Sequence, residues 1–258
     1  MAKKKPSVGT DRQAKIQAAA ASSGGGANKI VVAAVVAVLT IVAVVGGVVW
    51  SQVSKEKAIK GDGTAVPAGA TMGGAYPAYA DVTAKPGAPT VELYEDFQCP
   101  ACGQFEAIQG STVEELASAG DIVLKYHVLH FLDGKLGNDM SMKAANGAFC
   151  AADAGTFQKF HDAVYKNQPA QEGTGWTDAE LKGFASDSGI SGADLDTWSK
   201  CVELGKYTNY VRATNDNAFG KEGVTGTPTV KINGKVVPTQ SIATPEAFKA
   251  AVSAATTK

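Results

Sequence analysis

One α/β domain of about 165 residues, carried behind a single N-terminal transmembrane helix, is the architecture that this sequence predicts, on three observations. A run of 21 uncharged residues, Ile30 to Trp50, precedes everything of globular composition. Apolar patterning beyond Thr90 then reads β-α-β, a helical insertion, and β-β-α, units that can share one central sheet. Two cysteines, Cys99 and Cys102, lie three positions apart where the first strand-like run gives way to a helix-like one. At 258 residues and 45% hydrophobic content the chain can bury one substantial core, and a net charge of −1 gives no reason to expect nucleic acid as a partner.

Residues 1–29 are basic, then rich in Ala, Ser and Gly, ending in Ser22-Ser23-Gly24-Gly25-Gly26. Such a composition cannot bury enough apolar surface to fold alone and reads as a disordered tail. The span over residues 30–50 reaches about 30 Å as a helix, the thickness of a hydrocarbon core. It lacks the polar face of a soluble helix, exceeds the usual secretory core, and has no A-x-A-like site after Trp50, so an uncleaved anchor is expected. Lys3, Lys4, Lys5, Arg12, Lys15 and Lys29 precede it against only Asp11. The cationic side stays inside, which makes the tail cytoplasmic and everything after Trp50 extracytoplasmic, in a single-pass protein of the cell membrane. Residues 51–89 hold many Gly, Ala and Pro and few large apolar side chains, and read as a flexible tether.

From Thr90, Val91, Leu93 and Tyr94 form a short apolar strand leading through Phe97-Gln98 to Cys99. Phe105, Ile108, Val113 and Leu116 keep helical spacing after Pro100, with Gly110 a weak point and Gly120 a stop. Ile122 to Leu129 is β-branched and apolar enough for a buried strand. Over about 138–222 only helical patterns occur: Met142, Ala145, Phe149 and Ala152; Phe157, Phe160 and Val164; then Leu195, Trp198 and Val202. Thr177 and Glu180 have the spacing of a capping box. Thr229 to Ile232 and Lys235 to Val237 flank Asn233-Gly234, a pair suited to the positive φ of a two-residue hairpin turn. Thr244-Pro245-Glu246 opens a last helix with a cap, a proline at the first position and an acid near the positive end.

The chemistry concentrates in Cys99-Pro100-Ala101-Cys102. A thiol at a helix start meets unpaired N–H groups and the positive end of the macrodipole, which lower its pKa from about 8.5 into the range of about 3.5–7.5. Cys99 is therefore the expected nucleophile, and Cys102, one turn in and more buried, the resolving thiol. Thr227 and Pro228 form a second constellation. A proline opening a strand has a plain structural use, but beside a C-x-x-C it reads as a cis proline near the sulfurs, with Thr227 offering backbone groups to an extended substrate. Cys150 and Cys201 complete an even count outside the cell, and a bridge between them leaves the reactive pair intact.

Glu95 to Cys102, the helical insertion and Gly226-Thr227-Pro228 together resemble the thioredoxin-fold, DsbA-like thiol:disulfide interchange proteins in their membrane-anchored form. The resemblance covers about Thr90 to Ala254. It implies Cys99 and Cys102 as the redox pair, Pro228 as the cis proline, Thr227 as its tuning neighbour, and Pro100 and Ala101 as the dipeptide that biases the potential. No cofactor is implied. Reduced or unfolded exported proteins are the implied substrates, with a quinone-linked membrane partner of the DsbB or vitamin K epoxide reductase type to reoxidise the pair. Related proteins often carry a buried acid six residues before the first cysteine, where this chain has Leu93. Glu95, on the same strand face, is the candidate substitute as proton relay, although an exposed carboxylate is the commoner expectation there.

Other classes fit less well. A zinc site lacks a second pair of ligands, since Cys150, Cys201 and His161 have no finger or ribbon spacing, and no metal is expected. A Cys–His hydrolase using His127 or His130 leaves Cys102 without a role. A non-catalytic thioredoxin-like binding module has no use for an intact C-x-x-C. Within redox chemistry, oxidase leads over isomerase or reductase because no dimerisation module lies between Trp50 and Thr90.

Overall fold

The computed structural model of the protein describes residues 64–257. The tail, the Ile30–Trp50 span and the first part of the tether lie outside them. Among the described residues no helix is long and apolar enough to cross a membrane.

A five-stranded sheet forms the centre. Its strands are β1 (Tyr76–Pro77), β2 (Thr90–Asp96), β3 (Val123–Leu129), β4 (Thr229–Ile232) and β5 (Lys235–Val237), in the spatial order β1-β3-β2-β4-β5. β2 and β3 run parallel, paired from Thr90 with Val123 to Asp96 with Leu129, and the other pairs are antiparallel. The parallel pair requires a crossover, and helix α1 (Pro100–Ser118) supplies it. β2 is central and carries Val91, Leu93, Tyr94, Glu95 and Asp96 buried, so its C-terminal end has helices on both faces. That position fixes where the cysteines emerge.

Between β3 and β4 lie six helices: α2 (Phe131–Leu136), α3 (Met140–Ala152), α4 (Phe157–Lys166), α5 (Asp178–Asp187), α6 (Gly192–Glu203) and α7 (Thr208–Gly220). The insertion thus begins at Phe131, earlier than the 138 expected from periodicity, because α2 is too short to display a repeat. Phe149, Phe157, Phe160 and Trp198 pack into the main core as their spacing implied. The Thr177 hydroxyl accepts from the Glu180 N–H while Glu180 accepts from the Thr177 N–H, closing the capping box at the start of α5. Cys150 on α3 and Cys201 on α6 form a disulfide, with Cα atoms 5.9 Å apart. After the Asn233-Gly234 turn, where φ is 48° and 74°, helix α8 (Pro245–Ala255) closes the domain under a Thr244 cap that accepts from the Ala247 N–H at 3.2 Å. Gly110 does not interrupt α1.

The tether expected over 51–89 requires correction within the described residues. From residue 64 onward the chain is folded onto the domain. Tyr76 pairs with Tyr126 and its ring meets those of Phe149 and Phe157, with centroids 5.7 and 4.5 Å away. The Gly73 carbonyl accepts from the Asn217 amide at 2.9 Å, and the Gly74 carbonyl accepts from the Tyr210 hydroxyl at 2.7 Å. Glycine here serves tight turns, with positive φ at Gly69 and Gly73, so a composition typical of linkers encodes a docked edge strand. Helix α7 supplies the docking side chains, and its many Asn and Thr residues hid its inward face from a hydropathy reading.

Removing the Tyr210 hydroxyl tests this docking. Tyr210→Phe is expected to cost about 0.5–1.5 kcal/mol by urea unfolding, the usual worth of one buried hydrogen bond. An unchanged midpoint would mean that residues 64–89 are not held.

Candidate active site

The sulfurs sit where β2 ends. Asp96, fully buried, turns the chain: its carboxylate accepts from the Gln98 N–H at 3.0 Å and the Leu132 N–H at 3.1 Å, and from the Ser141 hydroxyl at 2.5 Å. Its carbonyl accepts from the Cys99 N–H at 2.9 Å. The Gln98 amide donates to Asp133, Asn138 and Ser141, each at 2.9 Å, tying the turn to α2 and α3. Beyond α4, the Gln168 amide donates to the carbonyls of Phe97 at 2.8 Å and Cys99 at 2.9 Å. A side chain at Gly103 would collide with that Gln168 carboxamide, which explains a glycine directly after Cys102.

Cys99 caps α1, and Pro100 occupies the first turn, where its missing N–H is not needed. No acidic side chain stands in that turn, so the positive helix end is left to the sulfur. Both cysteines are free thiols. The Cys102 thiol donating to the Cys99 sulfur is the largest influence on Cys99. Burial opposes it, while Thr227 and the N–H groups of Cys102 and Ala101 add to it, leaving the Cys99 thiol lowered to about 6. Cys102 is completely buried. Burial first, then its bond to Cys99 and the charge of Glu95, push its thiol well above the ordinary value. One sulfur is held ready as a thiolate and its neighbour as a thiol. Pro100 and Ala101, between them, are exposed.

Thr227-Pro228 is a cis peptide at the head of β4. The Thr227 carbonyl oxygen lies 3.5 Å from Cys99 Sγ, and its buried hydroxyl has no other partner and is free to donate to a thiolate. The strand opening expected from Gly226-Thr227-Pro228 therefore stands beside the Cys99 sulfur.

Glu95 departs from the exposed carboxylate expected at its position: it is 2% exposed. Its Oε2 lies 3.0 Å from Nε2 of His161, a fully buried imidazole on α4 whose Nδ1 is 3.2 Å from Asp162. Glu106 on α1 completes the group beside Glu95 and His161. Burial and the Glu95 charge hold the Glu106 carboxyl well above the usual range. Burial alone would depress His161, but the bonds to Asp162 and Glu95 and the charge of Glu106 outweigh it and raise the imidazole to about 10. Glu95, Glu106 and His161 offer three ligand atoms within 4.8 Å of one another.

The two other histidines stand elsewhere. His127 stacks on Tyr94 at 3.9 Å between centroids and faces Glu92 at 3.4 Å; the His130 N–H donates to Asn215 at 3.3 Å. Among the described residues neither imidazole hydrogen-bonds a cysteine. Periodicity could not find Gln168, Gln98 or His161, whose bonds to Phe97, Asp133 and Glu95 reach across 71, 35 and 66 positions. Asp96 had a local signal, since Asp readily accepts from the N–H two residues on.

Residues 83–254 match the family described as Thioredoxin. Among solved structures, the chain is similar to the reduced disulfide bond oxidoreductase DsbG of Mycobacterium tuberculosis. Identity is 31% with a TM-score of 0.58, covering 72% of this chain and 88% of that one. DsbA of the same organism, in its oxidised form, is 32% identical with a TM-score of 0.55, covering 68% and 88%. The thiol-disulfide oxidoreductase MdbA of Corynebacterium diphtheriae, at 24% identity and a TM-score of 0.57 over 70% and 93%, shares the fold. A curated relative, the serine/threonine-protein kinase PknE of Mycobacterium tuberculosis, is 26% identical over 156 residues, 57% of this chain and 27% of the kinase. The chain thus spans about a quarter of that relative's length.

Two readings follow from a thiol held near pH 6. The thiolate absorbance of the reduced protein at 240 nm should titrate with a midpoint near 6 and vanish in Cys99→Ser. Because the folded pKa of Cys99 lies below its unfolded value, its contribution to the reduced form is present at alkaline pH and lost as pH falls through about 6. The melting temperature of the reduced protein relative to the oxidised one should therefore rise from pH 5 to pH 8. A flat difference would contradict the assignment.

Proposed function

The chain belongs to the thioredoxin-fold, DsbA-like family of thiol–disulfide oxidoreductases, and from that premise we propose that it is a dithiol oxidase of exported proteins. The observation that carries the direction is the Cys99 sulfur at an uncompensated helix start, with a thiol donor and Thr227 beside it. Whatever stabilises the thiolate stabilises the reduced form, which makes the disulfide form a stronger oxidant.

The reaction begins with the pair oxidised. A substrate thiolate attacks Cys99 Sγ, the Cys99–Cys102 bond breaks, and Cys102 leaves as a thiolate that takes up a proton. A second substrate thiolate then attacks the substrate sulfur of the mixed disulfide. Its leaving group is the Cys99 thiolate, a good one because its pKa is low. Two substrate thiols have become a disulfide, and the enzyme holds both electrons. Thr227, beside a proline at the strand head, offers its backbone to an extended substrate. Glu95, buried and charged against Cys102, exchanges the resolving proton.

The reduced pair then needs an electron acceptor, and a quinone-linked membrane partner of the DsbB or vitamin K epoxide reductase type meets that need. The apolar Ile30–Trp50 span and the lysines before it support a single-pass anchor with the dithiol outside the cytoplasm. A lower potential would turn the same site toward reduction or isomerisation.

Oxidation of a reduced, unfolded substrate tests the assignment. Cys99→Ser should abolish it, and Cys102→Ser should accumulate mixed disulfides through Cys99, visible on non-reducing gels. Retained oxidation by Cys99→Ser would move the active site elsewhere.

A further inference from the structure

Cys102 must lose a proton each time the pair is oxidised, and it is completely buried. Glu95, whose charge acts on the Cys102 thiol, is 2% exposed, so a proton passed there has not yet reached water. Leaving it on Glu95 alone would also change the net charge of a buried site, which is costly in a medium that solvates charge poorly.

His161 joins Glu95 to the surface. Its Nε2 lies 3.0 Å from Glu95 Oε2 and its Nδ1 3.2 Å from Asp162 Oδ1, and the Asp162 side chain is 41% exposed. The groups around the ring come from every element packed on it: Glu95 from β2, Glu106 and Glu114 from α1, Tyr126 from β3, and Asp162 and Tyr165 from α4. Gln158 steadies the outer end, donating to Asp162 at 2.9 Å and to the Tyr126 hydroxyl at 3.2 Å.

We propose that the proton of Cys102 leaves by exchange along Glu95, His161 and Asp162, with His161 holding the counter-charge. This rests on the dithiol reading above. The step starts from a mixed disulfide between Cys99 and a small thiol. Cys102 Sγ attacks Cys99 Sγ, the Cys99–Cys102 bond forms, and the small thiol departs as its thiolate. The Cys102 proton passes to Glu95. Imidazolium His161, no longer facing an anion, gives its Nδ1 proton to Asp162, which delivers it to solvent. The buried pair goes from carboxylate and imidazolium to carboxylic acid and imidazole, so its net charge is zero before and after the step. When substrate releases Cys102 as a thiolate, the same path runs inward. His161 and Asp162 touch no reacting sulfur and act as positioning and proton-carrying residues.

The test is the reaction of the reduced full-length protein with oxidised glutathione, followed by rapid acid quench from pH 5 to 9. Formation of the Cys99–glutathione disulfide and its resolution by Cys102 separate as two phases. Asp162→Asn, a change at a partly exposed site, should leave the first phase unaltered and slow the second about tenfold, within the range of general acid–base effects. Added formate or imidazole should restore part of that loss. His161→Gln should slow the second phase further and move its pH dependence upward. Unchanged second-phase rates and pH profiles in both folded variants would overturn the proposal, as would slowing without buffer rescue. One equivalent of zinc on the purified protein, lost in His161→Gln, would also overturn it in favour of a metal site. Failure of the dithiol reading is separate: Cys99→Ser would then consume oxidised glutathione as fast as the unaltered protein.

Discussion

Two sulfurs in one helical turn are required to differ in protonation, and the arrangement of the domain around β2 and α1 follows from that requirement. In the proposed chemistry, Cys99 needs stabilised negative charge, and Cys102 needs to keep its proton until it attacks. The first is met by a helix start with no acidic side chain in its first turn, by Thr227, and by the Cys102 thiol itself. The second is met by complete burial and by the charge of Glu95. Each condition strengthens the other, because a proton kept on Cys102 is the largest stabiliser of the Cys99 thiolate.

Holding the turn still is the task of the polar groups beneath it. Asp96, Gln98, Asp133 and Ser141 form a buried set whose hydrogen bonds join the end of β2 to α2 and α3. Burial raises Asp96 to about 7 and Asp133 to about 6, while the bonds from N–H and hydroxyl donors pull the other way. Such a network is expensive if one member is missing and rigid when complete. Its place beneath the cysteines explains why the helical insertion, remote in sequence, belongs to the site: it supplies Gln168, Ser141 and His161.

Much of this was legible in the sequence, for identifiable reasons. The C-x-x-C, the Thr227-Pro228 strand opening, the Asn233-Gly234 turn and the Thr177 and Thr244 caps are local signals, each decided by residues within four positions. Cys150 and Cys201 were legible through cysteine parity. Residues 64–89 were misread because glycine and proline look alike in a linker and in tight turns under an edge strand. Glu95 was misread because one strand shows which face a carboxylate occupies but not what covers it. The cover is His161, and an imidazole 66 positions away leaves no mark on the strand.

In the proposed function, thiolate stabilisation at Cys99 makes the pair an electron acceptor. Equilibration of the purified protein with glutathione mixtures, read as the Cys99/Cys102 redox potential, tests it most directly. A value well above that of thioredoxin, toward the oxidising range of about −180 to −120 mV, is the predicted result. A value near about −270 mV would make the protein a reductase and not an oxidase.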